Sequence, residues 1–185
     1  SGLRVRESRS WWIRARKVSA MCGIVGYAGP KSAVDVVVDG LRRLEYRGYD
    51  SAGVCVVADG QLSVAKRAGK LANLEKELAE HPLPVSGLAI GHTRWATHGG
   101  PTDTNAHPHV SANGRIAVVH NGIIENFAQL RAELAEAGIT PVSQTDTEIA
   151  AQLLGLEVEQ GAGLSEALRV VCNRLEGAFT LVAVD

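Results

Sequence analysis

The dipeptide Asp59-Gly60 constrains this chain most tightly, because it separates two strand-like runs, residues 53–58 and 61–67, and both of its positions tolerate positive φ. That arrangement predicts an antiparallel pair of strands. Around it, residues 22–29 form a short apolar run closed by Gly29-Pro30, which reads as a buried strand. Over residues 31–46, Val34, Val37, Leu41 and Leu44 recur at helical spacing with Arg42, Arg43 and Glu45 on the other side. Leu71, Leu74 and Leu78 mark a short helix ending near Pro82 and Pro84, and residues 88–93 and 116–120 read as further buried strands. A loop rich in Gly, Pro and His, residues 96–110, lies between these two.

Ile124, Phe127, Leu130 and Leu134 predict a helix over 124–137, ended by Gly138. Thr145 to Glu148 has the spacing of a capping box opening another helix. Leu164, Leu168, Val171 and Leu175 predict the last helix, and residues 178–185 a strand. Antiparallel strands interspersed with helices, without strict alternation, predict an α+β layered fold.

At 185 residues the chain suits one well-buried domain, and 45% hydrophobic with 21% charged residues is a globular composition. No run approaches the roughly 18 apolar residues of a membrane helix, so no membrane partner is expected. The net charge of −1 hides an uneven distribution. In residues 1–20, Arg4, Arg6, Arg9, Arg14, Arg16 and Lys17 against Glu7 give +5, leaving −6 for the remainder. An acidic body gives no reason to expect nucleic acid. Three widely spaced cysteines, Cys22, Cys55 and Cys172, form neither a disulfide framework nor a Cys-x-x-Cys knuckle, which fits a reducing, cytoplasmic setting.

Residues 1–20 are rich in Arg and Ser, as organellar transit peptides are. The sole methionine is Met21, however, so residues 1–21 read instead as an added or misassigned N-terminal extension plus the initiator methionine. Cys22 then stands second in the primary translation product, and removal of Met21 would free its α-amino group.

Hydrolysis of a primary carboxamide demands a strong nucleophile, a base, donors for the oxyanion and groups that hold the substrate's charged end. An N-terminal cysteine supplies the first two, since an α-amine of pKa about 7.7–8.0 is close enough to neutrality to serve as base. A lone cysteine is more often a buried small hydrophobe, so the other clusters decide. These are RGYDSAG (47–53), HTRWATHG (92–99), NAHPH (105–109), HNGIIEN (120–126) and SQTDTE (143–148). Together with CGIVG (22–26), they resemble in order and spacing the motifs of the N-terminal-nucleophile glutamine amidotransferases. RGYDSAG, HTRWATHG and SQTDTE look most like the glucosamine-6-phosphate synthase branch, and the resemblance spans about residues 21–185.

The resemblance implies a four-layer αββα fold of two stacked, mainly antiparallel sheets between helical layers. It matches Cys22 to the nucleophile, and the Asn121 side-chain amide and Gly122 backbone N–H to the oxyanion hole. A turn built from Asn-Gly is the expected way to aim two donors at one point. Arg94 matches the residue that pairs with the glutamine α-carboxylate, a task suited to a planar fork, and Asp146 the partner of the α-ammonium. Trp95, Ala96, Thr97 and His98 match a loop that closes over glutamine, and Arg47 an arginine that supports the nucleophile's surroundings.

L-Glutamine is the implied partner and no cofactor is implied. Residues 22–185 are the implied type 2 amidotransferase domain, truncated at its C-terminal end; the ammonia-using sugar-isomerase domains lie outside this chain, and the full-length protein is expected to be a homodimer. Other readings stand beside this one. The acceptor domain could be that of an amidophosphoribosyltransferase, or the chain could be a non-catalytic glutamine-binding or histidine metal module. Five of six histidines, His92, His98, His107, His109 and His120, fall within thirty residues, yet no His-x-x-x-His pair lies on a helical stretch and no cysteine is near in sequence. Asp146 could be an ordinary helix-start carboxylate. Cys55 alternates within a strand and Cys172 shares the apolar face of Leu168, so both read as core packing.

Overall fold

A computed structural model describes residues 22–185; the readings made for residues 1–21 lie outside the described residues. The chain runs β1 (Gly23–Ala28), α1 (Ala33–Leu44), a single 3-10 turn (Glu45–Arg47), β2 (Ser51–Ala58) and β3 (Gln61–Ala68). It continues through α2 (Leu71–Glu80), β4 (Leu88–Arg94), β5 (His109–Val110), β6 (Ala117–Ile124), α3 (Phe127–Glu136), α4 (Asp146–Glu159), α5 (Leu164–Cys172) and β7 (Gly177–Val184). One four-stranded sheet has the order β1-β4-β2-β3, and a three-stranded sheet the order β5-β6-β7. Every pairing is antiparallel.

The period-2 alternation of the strands sorts side chains into three cores. On β2, Ala52, Val54 and Val56 join a cluster with Val37 and Leu41 of α1 and Leu71 and Leu74 of α2, whereas Cys55 and Val57 point the other way. Cys55 there meets Ile90 of β4 and Ala117, Val119 and Val184 of the second sheet, so this cluster lies between the sheets. Val118 of β6 and its neighbour Ile116 pack instead with Leu130, Leu134, Ile149, Leu154 and Val171 from α3, α4 and α5. Helices, sheet, sheet and helices therefore stack as the αββα layers that the motifs imply.

The β2–β3 hairpin turns at Asp59 and Gly60, with φ of 52° and 70°, the doubly positive turn that matches the twist of the flanking strands. Thr145 caps α4 by accepting the Glu148 N–H at 3.2 Å. Glu148 does not close the box on Thr145: its carboxylate accepts from the backbone N–H groups of Val142 (2.9 Å) and Ser143 (2.5 Å), holding the approach to the helix.

Four expectations need correction. Residues 22–29 do not form a buried strand, because β1 is an edge strand and Gly23 is its only buried residue. The strand expected over 116–120 continues to Ile124, so the following helix starts at Phe127 and Ile124 closes the strand while packing on the same core as Leu130 and Leu134. Asn121 and Gly122 consequently form no turn; they pair with Thr180 and Phe179 of β7. Cys172, at the end of α5, is only half-buried, in contrast with the fully buried Cys55.

Candidate active site

A cavity of about 520 Å³ opens where the start of β1, the end of β4, β6, β7 and the N-terminus of α4 converge. Cys22, Arg94, Trp95, Thr97, Asn121, Gly122 and Asp146 line it, so residues up to 124 positions apart in sequence are brought to one place. His98 and Arg47 are not among the lining residues. The His98 ring packs on Phe127 with centroids 4.7 Å apart, and its backbone carbonyl accepts a bond from Arg94. Arg47, in the 3-10 turn, donates from Nε to the Tyr46 hydroxyl at 3.3 Å.

Cys22 immediately precedes β1, and its Sγ accepts the Trp95 backbone N–H at 3.1 Å and stands 3.6 Å from the Trp95 carbonyl as donor. Burial pushes the thiol's pKa up; the Trp95 N–H and the Arg94 charge oppose that shift without reversing it. A thiol in this state is protonated at neutral pH and needs a base to become a nucleophile. Trp95 itself is 47% exposed, at the rim.

Asn121 reaches across to the first sheet. Its Nδ2 donates to the Cys22 carbonyl at 3.4 Å, and its Oδ1 lies 2.7 Å from Nε2 of His92 on β4. Gly122 has φ of 124°, and a Cβ built on it would stand 2.1 Å from the Ala178 carbonyl oxygen. Only glycine lets β6 approach β7 this closely here.

Arg94 and Asp146 are both 3% exposed. One Arg94 amino group donates to the His98 carbonyl, while Nη1 has no hydrogen-bond partner among the described residues. Desolvation lowers the Arg94 pKa, and the charges of Asp50, Cys22 and Asp146 counter that. Asp146, the first residue of α4, accepts the Ile124 N–H through Oδ2 at 2.9 Å; its Oδ1 lies 3.8 Å from His120 Nδ1. It is thus more than a carboxylate favoured by the helix dipole, because it also ties α4 to the end of β6.

At the cavity wall and behind it, His92, His107, His109 and His120 are all buried, and His107 and His120 line the cavity itself. The His92 and His107 rings stack at 4.4 Å, and His109 stands edge-on to His107 at 5.0 Å. Desolvation holds all four below the usual histidine pKa, His92 at about 4, so at neutral pH they are uncharged. The histidines are packed by their rings, whereas the one grouping of three metal-ligand atoms among the described residues is Glu77, Glu80 and the exposed His81, at the end of α2. The side-chain atoms buried without a partner among the described residues are Nδ1 of His92 and His107, Nε2 of His120 and Nη1 of Arg94. Three of these four residues line the cavity. Each such group costs about 1–3 kcal/mol unless something meets it, so their concentration here marks a polar-ligand site.

Sequence reasoning missed Asp50, whose Oδ2 accepts the Ala96 N–H at 2.6 Å and so secures the strand of chain beyond Arg94. It also assigned no site role to His107, His120 or Thr147, which line the cavity. All four lie in or beside the quoted motifs, and their position there was the available signal.

The chain also resembles known proteins. The family described as "Glutamine amidotransferase domain" matches residues 92–185. The chain is 72% identical over 164 residues to the glutamine–fructose-6-phosphate aminotransferase (isomerizing) of Streptomyces coelicolor, covering 89% of this chain and 27% of that protein. It is 58% identical over 167 residues to the protein of the same name from Mycobacterium tuberculosis, covering 88% and 27%. This chain therefore spans about a quarter of the length of these relatives. Among solved structures, the allosteric regulatory enzyme of purine biosynthesis superposes with a TM-score of 0.75 at 28% identity, over 87% of this chain and 35% of that one. The glutamine phosphoribosylpyrophosphate amidotransferase of B. subtilis gives 0.72 at 27% identity, over 87% and 34%.

Proposed function

Since the chain belongs to the glutamine amidotransferase domain family, we propose that residues 22–185 hydrolyse the side-chain amide of L-glutamine, with Cys22 as nucleophile. The observation that carries this reading is the convergence of Cys22, Asn121, Gly122, Arg94 and Asp146 on one cavity. Arg94, with an unmet Nη1, pairs with the substrate's α-carboxylate, and Asp146 with its α-ammonium. The amide then lies toward Cys22 and Asn121.

Catalysis starts with the thiol, whose proton passes to the free α-amine of Cys22 as Sγ attacks the amide carbon. The tetrahedral oxyanion is held by Asn121 Nδ2 and the Gly122 N–H. The amine returns the proton to the leaving nitrogen, the C–N bond breaks and ammonia departs, leaving a γ-glutamyl thioester. Water, deprotonated by the same amine, cleaves the thioester to glutamate and the thiol. Trp95, Thr97 and His98 form the segment that closes over the substrate, and Arg47 supports the nucleophile's surroundings from the 3-10 turn. No cofactor enters this sequence.

In the full-length cytoplasmic protein, a homodimer, ammonia passes to a sugar-isomerase domain beyond this chain and aminates fructose-6-phosphate, the first step toward amino sugars. Relatives at 58–72% identity carry that substrate in their name, against 27% for the structure named for phosphoribosylpyrophosphate, which favours the sugar acceptor. Among the described residues no helix is long and apolar enough to cross a membrane.

The test is ammonia release from glutamine by a protein whose first residue is Cys22. Turnover that vanishes in Cys22→Ala is expected; turnover that survives it overturns the reading.

A further inference from the structure

The contact between His92 and Asn121 leaves the orientation of the Asn121 amide to be settled by the proton on one ring nitrogen. His92 Nε2 lies 2.7 Å from Asn121 Oδ1, and the opposite end of the same amide, Nδ2, points to the Cys22 carbonyl at 3.4 Å. Two arrangements could satisfy a 2.7 Å contact. In one, Nε2 carries the proton and donates to Oδ1. In the other, Nε2 is bare and the amide is flipped so that Nδ2 donates to it, which turns Oδ1 toward the Cys22 carbonyl and sets two acceptors against each other. The first arrangement alone satisfies both ends of the amide.

We propose that His92 is a positioning residue, protonated at Nε2, that fixes the Asn121 side chain with its N–H donors facing the nucleophile. This rests on the reading of Asn121 as an oxyanion donor. His92 touches no cavity surface, being fully buried in β4, and acts only through Asn121. Burial keeps it neutral, so it carries a single ring proton; the His120 backbone also faces the ring, but Nδ1 makes no hydrogen bond of proper geometry among the described residues, whereas Nε2 stands 2.7 Å from Oδ1. The ring is itself wedged. It stacks on His107, whose loop is clasped from behind by the half-buried Lys66, which donates to the carbonyls of Ala106 at 2.8 Å and Pro108 at 3.2 Å. A neutral, immobilised imidazole of one tautomer is a donor that does not rotate away, as a hydroxyl or an amide could.

The ring's protonation can be read directly by long-range proton–nitrogen NMR on the 185-residue chain at neutral pH, with no mutation needed. A protonated His92 Nε2 and bare Nδ1 are expected. A proton on Nδ1, turned toward the His120 backbone, overturns the inference. Kinetics supply the second arm, in protein beginning at Cys22. His92→Leu should lower kcat about tenfold or more at nearly unchanged KM, as loss of an oriented oxyanion donor does. Adding Asn121→Ala should bring no further loss than Asn121→Ala alone, and His92→Gln, which keeps a donor, should recover most of the rate. Losses that multiply, or a change in KM alone, mean that His92 acts on structure and not through Asn121. If Asn121→Ala is itself harmless, the oxyanion reading falls. If Asn121→Ala is damaging while His92 carries its proton on Nδ1, only the positioning role falls.

Discussion

The backbone N–H of Trp95 points at the Sγ of Cys22 from 3.1 Å, although 73 residues separate them. A bond of this kind favours the thiolate, yet burial outweighs it and the thiol stays above its usual pKa. The nucleophile is thus placed by the fold but not ionised by it.

A base must therefore come from elsewhere, and the α-amine of Cys22 is the proposed one. Chains that keep residues 1–21 should be nearly inactive as glutaminases, because a peptide nitrogen cannot accept the proton. Protein beginning at Cys22 should gain activity as pH rises through about 7.7–8.0, where the amine becomes unprotonated. Rate–pH profiles of the two forms check this, and equal rates would remove the mechanism.

Asn121→Ala should lower kcat by about 10²–10³ with little change in KM, since an oxyanion donor acts in the transition state. Steady-state kinetics decide; a pure KM effect takes Asn121 out of the oxyanion hole.

Gly122→Ala is predicted to fail for a different reason. Its Cβ would meet the Ala178 carbonyl oxygen at 2.1 Å at a φ of 124°, and backbone on β7 cannot yield as a flexible side chain could. Strain of this kind costs on the order of 1–3 kcal/mol before any strand displacement. Thermal unfolding should show a clearly lower Tm; an unchanged Tm would mean that β6 and β7 part freely here.

The buried histidines make a prediction about acid. His92, His107 and His109 have folded-state pKa values below the unfolded value of about 6.5, His92 at about 4. Between these limits the unfolded chain binds more protons, so stability rises with pH and is lost as pH falls below about 6.5. Each histidine that stays neutral contributes a slope of about 1.4 kcal/mol per pH unit in that window. Urea midpoints should fall steeply from pH 7 to 5, and a flat profile would mean that the cluster is protonated in the folded state.

What could be read from sequence alone was local. Asp59-Gly60 announced its hairpin because the turn depends on the φ preferences of two adjacent residues. Asn121-Gly122 has similar turn chemistry and forms none, because pairing with Thr180 and Phe179 of β7, almost sixty residues away, overrides it. The periodicity of Ile124 with Leu130 and Leu134 misled for a related reason: all three enter one core, but Ile124 does so from a strand. The cavity residues could be named because each sits in a short motif, whereas the part played by Asp50, in a quoted motif as well, depends on its bond to Ala96, 46 residues on, which no local pattern announces.

The last prediction concerns the two charges that read the substrate. Arg94 and Asp146 form a charge-complementary clamp for a free amino acid in the proposed mechanism, and removing either leaves the opposite substrate charge desolvated and unpaired. Losses of that kind run to about 2–5 kcal/mol. Arg94→Lys keeps the charge but loses the two-point fork, so it should raise KM for glutamine while leaving the reaction of Cys22 with a small uncharged thiol reagent intact. Asp146→Ala would confound binding with folding, because Asp146 Oδ2 also accepts the Ile124 N–H. Asp146→Asn keeps an acceptor oxygen for that bond and removes only the charge, which makes it the cleaner probe. The deciding comparison is glutamine against a truncated amide lacking both α-groups. Wild type should prefer glutamine strongly, and each variant should shrink the preference. A preference that survives unchanged in both leaves Asp146 with its tie to β6 alone and moves substrate recognition to other cavity residues.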